Sequence, residues 1–168
     1  IIGEGANTMD IGRTQLPNAS PRLRLDAGSY GTMGIGMGFA IAAAVVNPDQ
    51  PVVSVSGDSA LGFSGMEIET ACRHNLQIKI VVLNNGGIGR GVEELPTDGQ
   101  MPAHLLTVAA RYDKMMEAFG GKGIYVEDPA DLKQALADAK AHDGPALVNV
   151  RLHPEAGRKP QQFGWLTT

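Results

Sequence analysis

The stretch from Gly57 to Ile88 constrains the fold more than any other part of the chain. It reads as a strand end, a loop, a helix, a strand and a second loop. Val52, Val53 and Val55 form a β-branched run that stops at Ser56-Gly57-Asp58. From Gly62 to Arg73, Phe63, Met66, Ile68 and Ala71 are spaced by Glu67, Glu69 and Arg73, which predicts an amphipathic helix. Ile78 to Leu83 is apolar except for Lys79, as in a strand buried on both faces, and it stops at Asn84-Asn85-Gly86-Gly87. A strand–helix–strand unit of this length pairs its strands in parallel. Asp58 and Asn85 then share the carboxyl edge of the sheet, where open α/β sheets bind ligands.

One carboxylate, one amide and a glycine-rich turn at a shared edge suit a hard cation. Mg2+ takes about six oxygens, usually with only one or two carboxylates and the rest from phosphate and water. Asp58 supplies charge, Asn85 a neutral oxygen, and a glycine turn can aim a backbone carbonyl inward. The alternative is that Asp58 caps a helix and Asn84-Asn85-Gly86 is a plain turn.

A chain of 168 residues is most simply one domain with room for a core. The net charge of −4, without a basic cluster, argues against nucleic acid and membrane surfaces as partners. The single Cys72 forms no internal disulfide, which is compatible with a reducing, cytoplasmic setting. No apolar run is long enough for a membrane span and no signal peptide is visible. The chain opens without an initiator Met, directly on a strand at Ile1–Ile2. It is expected to be a processed or split piece of a longer protein, or one subunit of a composite enzyme.

Elsewhere, Asn7 or Thr8 caps a short helix toward Arg13, and Leu23 to Asp26 alternates like a strand. The Gly28 to Gly38 stretch precedes an apolar helix from Phe39 to Val46. It fits a dinucleotide fingerprint poorly, because Phe39 occupies the third glycine position. Close helix packing at Gly34 and Gly38, one turn apart, accounts for it otherwise. Met101 to Phe119 reads as helical, ended by Gly120-Gly121. A strand at Gly123–Val126, a helix opened by Asp128-Pro129 and running to His142, and a strand from Ala146 to Leu152 follow. Alternating strands and helices predict an α/β fold with a doubly wound, mostly parallel sheet and helices on both faces. Residues 1–153 form this domain, and residues 154–168, with the sole Trp, are expected to dock as a tail over the active site.

Gly57-Asp58, some two dozen residues, then Asn84-Asn85 resembles the thiamine-diphosphate motif; Ser59 replaces the family's third glycine. The likeness extends to Glu4-Gly-Ala-Asn-Thr-Met-Asp10, Gly31-Thr-Met-Gly-Ile-Gly-Met-Gly38 and Arg111-Tyr-Asp-Lys-Met-Met-Glu-Ala-Phe-Gly-Gly121. Nearly the whole chain resembles the cofactor-binding C-terminal domain of the 2-hydroxyacyl-CoA lyase and oxalyl-CoA decarboxylase family. The resemblance implies thiamine diphosphate and Mg2+ as cofactors. The metal ligands would be the side chains of Asp58 and Asn85 and the carbonyl of Gly87. Asn7, Ser59, Ala60 and Ile88 would also line the cofactor site. The carbonyl of Gly31 would meet the aminopyrimidine, and Met33 would wedge the cofactor into a V shape.

Oxalyl-CoA decarboxylases generally carry Tyr where this chain has Gly89, and the tail from Arg158 to Thr167 resembles the lyase ending. Both imply a lyase that cleaves or forms the C1–C2 bond of a 2-hydroxyacyl-CoA, giving formyl-CoA and an aldehyde or ketone. Oxalyl-CoA decarboxylation, an acetolactate-synthase-like carboligation and a non-catalytic cofactor-binding module are the alternatives. Glu93 and Glu94, on the loop beyond the metal, are candidate catalytic bases. Arg13, Arg158 and Lys159 are candidates for the CoA phosphates. The family's activating Glu belongs to an N-terminal domain, so partner chains or missing domains, and a homo-oligomer, are implied, with no turnover by this chain alone.

Overall fold

The computed structural model describes residues 1–154 and 156. Six strands among them form one all-parallel sheet in the order β2-β1-β3-β4-β6-β5. The strands are β1 (Ile2–Glu4), β2 (Leu25–Asp26), β3 (Val52–Gly57), β4 (Ile78–Asn84), β5 (Lys122–Val126) and β6 (Ala146–Arg151). The helices are α1 (Ala6–Gln15), α2 (Gly36–Val46), α3 (Asp58–Ser64), α4 (Glu67–Arg73), α5 (Tyr112–Ala118) and α6 (Leu132–Ala141). The doubly wound parallel sheet read from the sequence is the observed architecture.

Alternation along the strands splits the core into two layers. Ile78, Ile80 and Val82 of β4 join Ile2, Leu147 and the inner faces of α2, α3, α4 and α5, including Met37, Leu61, Ile68 and Met116. Val81 and Leu83 point the other way, into a layer with Val148, Val150 and α6 residues Ala135 and Ala139. Lys79 lies on this buried strand because its ammonium has partners: Nζ donates to the carbonyls of His142, at 2.7 Å, and Gly144, just past α6. Burial lowers its pKa.

Two helix expectations are corrected. The helix expected from Gly62 to Arg73 begins at Asp58 and is two helices, broken at Gly65-Met66. A Cβ at Gly65 would lie 3.3 Å from Met115 Cε, so the break is where α5 packs closely. Of the four residues on the expected apolar face, Ile68 and Ala71 are buried, but Phe63 and Met66 are each 66 % exposed, and Leu61 fills the core ahead of the break. The helix expected over Met101 to Phe119 starts only at Tyr112. The preceding segment is instead a pair of turns, closed by Leu105 N–H on Pro102 O and Ala110 N–H on Thr107 O, and the pairing of Leu105 with Gly87 ties it to the loop after β4. Of the two glycines expected to allow close helix packing, Gly34 precedes α2 but does lie against α3, where a Cβ would come 3.0 Å from Phe63 Cβ, whereas a Cβ at Gly38 would meet nothing within 4 Å among the described residues. Among the described residues, no helix is long and apolar enough to cross a membrane. The proposed tail of residues 154–168 lies almost wholly outside the described residues.

Candidate functional site

The chain leaves β1 for β2 on one side and returns to β3 on the other, so the winding reverses at the β1–β3 pair. Crevices at such points are where doubly wound sheets bind ligands. Two loops meet here. Gly5, at φ 95°, turns β1 into α1, and a Cβ on it would lie 3.4 Å from the Gly57 nitrogen. No side chain caps α1, so the N–H groups of its first turn, where exposed Asn7 sits, face outward without a side-chain acceptor.

Asp58 follows β3 directly and is 2 % exposed. Its Oδ1 accepts from the Ser59 N–H at 2.7 Å; its Oδ2 accepts from Gly86 at 2.8 Å and Gly87 at 3.2 Å. Burial pushes this carboxyl above the usual carboxylate range, and the backbone donors offset part of that. Asp58 has no ion-pair partner among the described residues. A buried anion held only by N–H dipoles favours an added cation.

The Gly87 N–H is shared between Asp58 Oδ2 and Asn85 Oδ1, the latter at 3.3 Å, so the three expected metal ligands are brought together. The Asn85 amide also donates to the Gly89 carbonyl at 3.2 Å. Gly86 O and Ile88 N pair with Leu106 N and His104 O, which leaves Gly87's own N–H and carbonyl outside that pairing. The loop then folds tightly on itself. A Cβ on Gly87 would come within 2.0 Å of Arg90 O, and one on Gly91 within 1.8 Å of Asn85 O. Among the described residues, no group of three or more His, Cys, Asp or Glu side chains could hold a metal. One buried carboxylate with amide and carbonyl oxygens is instead the donor set of a Mg2+ that keeps phosphate and water ligands.

A third loop approaches from α2. Gly31 is left-handed at φ 60°, and Met33 is half-buried. Glu4, 1 % exposed at the end of β1, accepts the Gly34 N–H, and the Ser56 hydroxyl lies 3.5 Å from it. Gly36 makes room for that carboxylate, since a Cβ there would lie 2.3 Å from Oε2. Sequence reading assigned Glu4 no role; the available signal was a charged residue ending a strand beside a glycine-rich turn. Of the other expected cofactor residues, Ser59 is half-buried, Ala60 is buried and Ile88 is exposed.

Glu93 and Glu94 are both exposed, and Glu93 Oε1 lies 3.5 Å from His153 Nε2, a pairing not expected from the sequence. Arg13 is occupied elsewhere: Nε and Nη2 grip Asp26 at 2.9 and 2.8 Å, and Nη2 reaches the Gly28 carbonyl at 3.2 Å. Arg158 and Lys159 lie outside the described residues. A buried polar cluster of Asn84, Asn149 and Asp113 behind the metal loop was also missed, because its members are far apart in sequence. Tyr112 beside it has its phenol pushed up to about 12 by burial and by the charge of Asp58.

Known proteins share this arrangement. Residues 4–150 match the family model described as thiamine pyrophosphate enzyme, C-terminal TPP binding domain. Human 2-hydroxyacyl-CoA lyase 1 is 48 % identical over 99 % of this chain and 31 % of its own length. The 2-hydroxyacyl-CoA lyase of Arabidopsis thaliana is 53 % identical over 94 % of this chain and 28 % of its own. Oxalyl-CoA decarboxylase of Escherichia coli K12 is 48 % identical over the same shares, 94 % and 28 %. An X-ray structure from Mycobacterium smegmatis, assigned as a thiamin diphosphate-dependent enzyme, superposes with a TM-score of 0.74 at 28 % identity, covering 92 % of this chain and 28 % of that one. The chain thus spans under a third of the relatives it matches. With the motif residues gathered at the switch point and the family model covering most of its length, the chain belongs to the thiamine pyrophosphate enzymes and carries their C-terminal TPP binding domain.

Proposed function

We propose that this chain is the cofactor-binding part of a thiamine-diphosphate-dependent 2-hydroxyacyl-CoA lyase. The observation that carries this reading is the 48–53 % identity to human and Arabidopsis lyases over 94–99 % of the chain. Gly89 favours the lyase over the equally similar decarboxylase. Among the described residues a Cβ there would meet nothing within 4 Å, which leaves room beside the metal loop for a bulky acyl group.

Asp58, Asn85 and the Gly87 carbonyl would hold Mg2+. The first turn of α1, with Asn7, and Ser59 would hold the diphosphate; Ala60 and Ile88 would close around it. Gly31 and Met33 would face the aminopyrimidine. When bound, thiamine diphosphate supplies a nucleophilic carbon and an electron sink for cleavage of the C1–C2 bond. Glu93 or Glu94 would take the proton from the substrate's 2-hydroxyl, which sets the aldehyde or ketone free. Arg158 and Lys159 would meet the CoA phosphates. Arg13 is left out of that role, since its Nε and Nη2 are engaged by Asp26 and Gly28. The activating carboxylate would come from the part of the enzyme beyond this chain, in a homo-oligomer.

The test supplies the holoenzyme with Mg2+ and either a 2-hydroxyacyl-CoA or oxalyl-CoA. Formyl-CoA with an aldehyde or ketone is expected from the first, at a higher kcat/KM than carbon dioxide from the second. Preference for oxalyl-CoA would make it a decarboxylase, and turnover without CoA a carboligase. Asp58→Ala should abolish Mg2+-dependent cofactor binding; unchanged binding would return the domain to a module with another role.

A further inference from the structure

We infer that Asp113 and Asn149 are positioning residues that aim the first asparagine of the metal loop. The inference rests on the proposed Mg2+ site. Asn149 sits on β6, one strand in from the sheet edge and wholly buried, where its neighbours Val148 and Val150 are apolar. A buried amide is costly unless each polar atom finds a partner. Here each does. Asn149 Nδ2 donates to the Ala110 carbonyl at 2.8 Å and to Asp113 Oδ1 at 3.2 Å, while its Oδ1 accepts from Asn84 Nδ2 at 3.2 Å. Asn84 Nδ2 also reaches Ala110 O at 2.9 Å, and Asn84 Oδ1 accepts the Gly86 N–H at 3.2 Å. That same N–H binds Asp58 Oδ2 at 2.8 Å.

The polarity of this relay is set by the groups that can only accept, the Asp113 carboxylate and the Ala110 carbonyl. An amide can be turned over with little change in shape, but an ionised carboxylate only accepts. Asp113 therefore demands the NH2 of Asn149. Asn149 must then show its oxygen to Asn84, so Asn84 gives its NH2 and turns its own oxygen to Gly86. Arg111 fixes the carboxylate from outside, with Nε at 2.9 Å and Nη2 at 2.6 Å, while its guanidinium lies 4.4 Å from the centre of the Tyr125 ring. The segment bearing Ala110 is thereby tied to the start of the loop that bears Asn85 and Gly87. Neither Asp113 nor Asn149 touches the expected metal ligands, so each acts through Asn84.

Asp113→Asn removes the charged, acceptor-only end of the relay while keeping the shape, and leaves the Ala110 carbonyl as its only fixed acceptor. In the holoenzyme, thermal unfolding and calorimetric cofactor binding are followed as Mg2+ is titrated at fixed thiamine diphosphate. We expect the Mg2+ midpoint to rise several-fold, less than the about 10–100-fold of a direct partner of a metal ligand, with kcat recovering at saturating Mg2+. Arg111→Met, at a half-exposed side chain, should shift it the same way by less, and it decides alone if Asp113→Asn does not fold. A folded variant with lowered Tm but an unmoved Mg2+ midpoint would overturn the inference and leave the cluster as core packing. Wild-type enzyme with no Mg2+-dependent cofactor binding would instead overturn the proposed function beneath it.

Discussion

Gly91 has no room for one more carbon, and that separates it from Gly89 two residues earlier. A Cβ on Gly91 would stand 1.8 Å from the Asn85 carbonyl oxygen, backbone that cannot swing aside. Gly89 has open space but a left-handed φ of 80°. Its replacement by Ala should cost about 1–2 kcal/mol of backbone strain and leave the loop's shape intact. Gly91→Ala should cost roughly 1–3 kcal/mol of overpacking and also displace Asn85. Thermal unfolding with and without Mg2+ and thiamine diphosphate distinguishes them: Gly89→Ala keeps the cofactor-dependent rise in Tm, and Gly91→Ala loses it. Equal retention by both would show that the loop relaxes. At this scale Asp58, Asn85 and Gly87 were legible because the motif fixes their spacing. Glu4 and Asn149 were not, because what each meets comes from a different part of the chain, and Gly91 was not, because its contact with Asn85 exists only once the loop has folded back on itself.

Helix α5 behaves as a strut whose first turn is pinned to β6 by Asp113. Burial alone would raise this carboxyl; the hydrogen bonds from Arg111 and Asn149, with the guanidinium's charge, outweigh burial and hold it below the usual carboxylate range. A depressed carboxylate pKa stabilises the fold at pH above the unfolded value and loses that contribution as pH falls through the folded one. Tm measured from pH 7 down to about 2 should therefore fall steeply below about 4. Asp113→Asn should start lower at pH 7 and show a shallower acid limb; an unchanged limb would mean that Asp113 is not depressed by its partners. The late start of α5 also shows where periodicity misleads. Residues 101–111 carry helical spacing, yet they fold as two turns tied to Gly87 by the pairing of Leu105. Likewise, Phe63 and Met66 fit the apolar stripe of one long helix, but the break at Gly65 turns them outward. The strands were legible because a β-branched run buried on both faces has few other uses.

Taken whole, the molecule offers an anchor and little proton chemistry. Its two buried carboxylates at the crevice are already engaged: Glu4 accepts from Gly34, and Asp58 accepts from three backbone N–H groups. Glu93, the candidate base, is 70 % exposed at its side chain and Glu94 is exposed too, so both carboxylates face water. Gly31 and Ile88, expected to line the cofactor, also face outward. A site that must protect a reactive carbon from water needs a second wall, and this chain spans under a third of the enzymes it matches. The isolated chain should thus bind thiamine diphosphate weakly and only with Mg2+, through the diphosphate end, without turning over a 2-hydroxyacyl-CoA. Calorimetry and a formyl-CoA assay on the purified chain, alone and with the remaining polypeptide added, check this. Mg2+-dependent binding of plain diphosphate, nearly as tight as that of the whole cofactor, is expected for the chain alone. Addition of the remainder should tighten thiamine diphosphate selectively and switch on turnover. Turnover by the chain alone would mean that Glu93 or Glu94 suffices as the proton carrier and that the crevice closes from within.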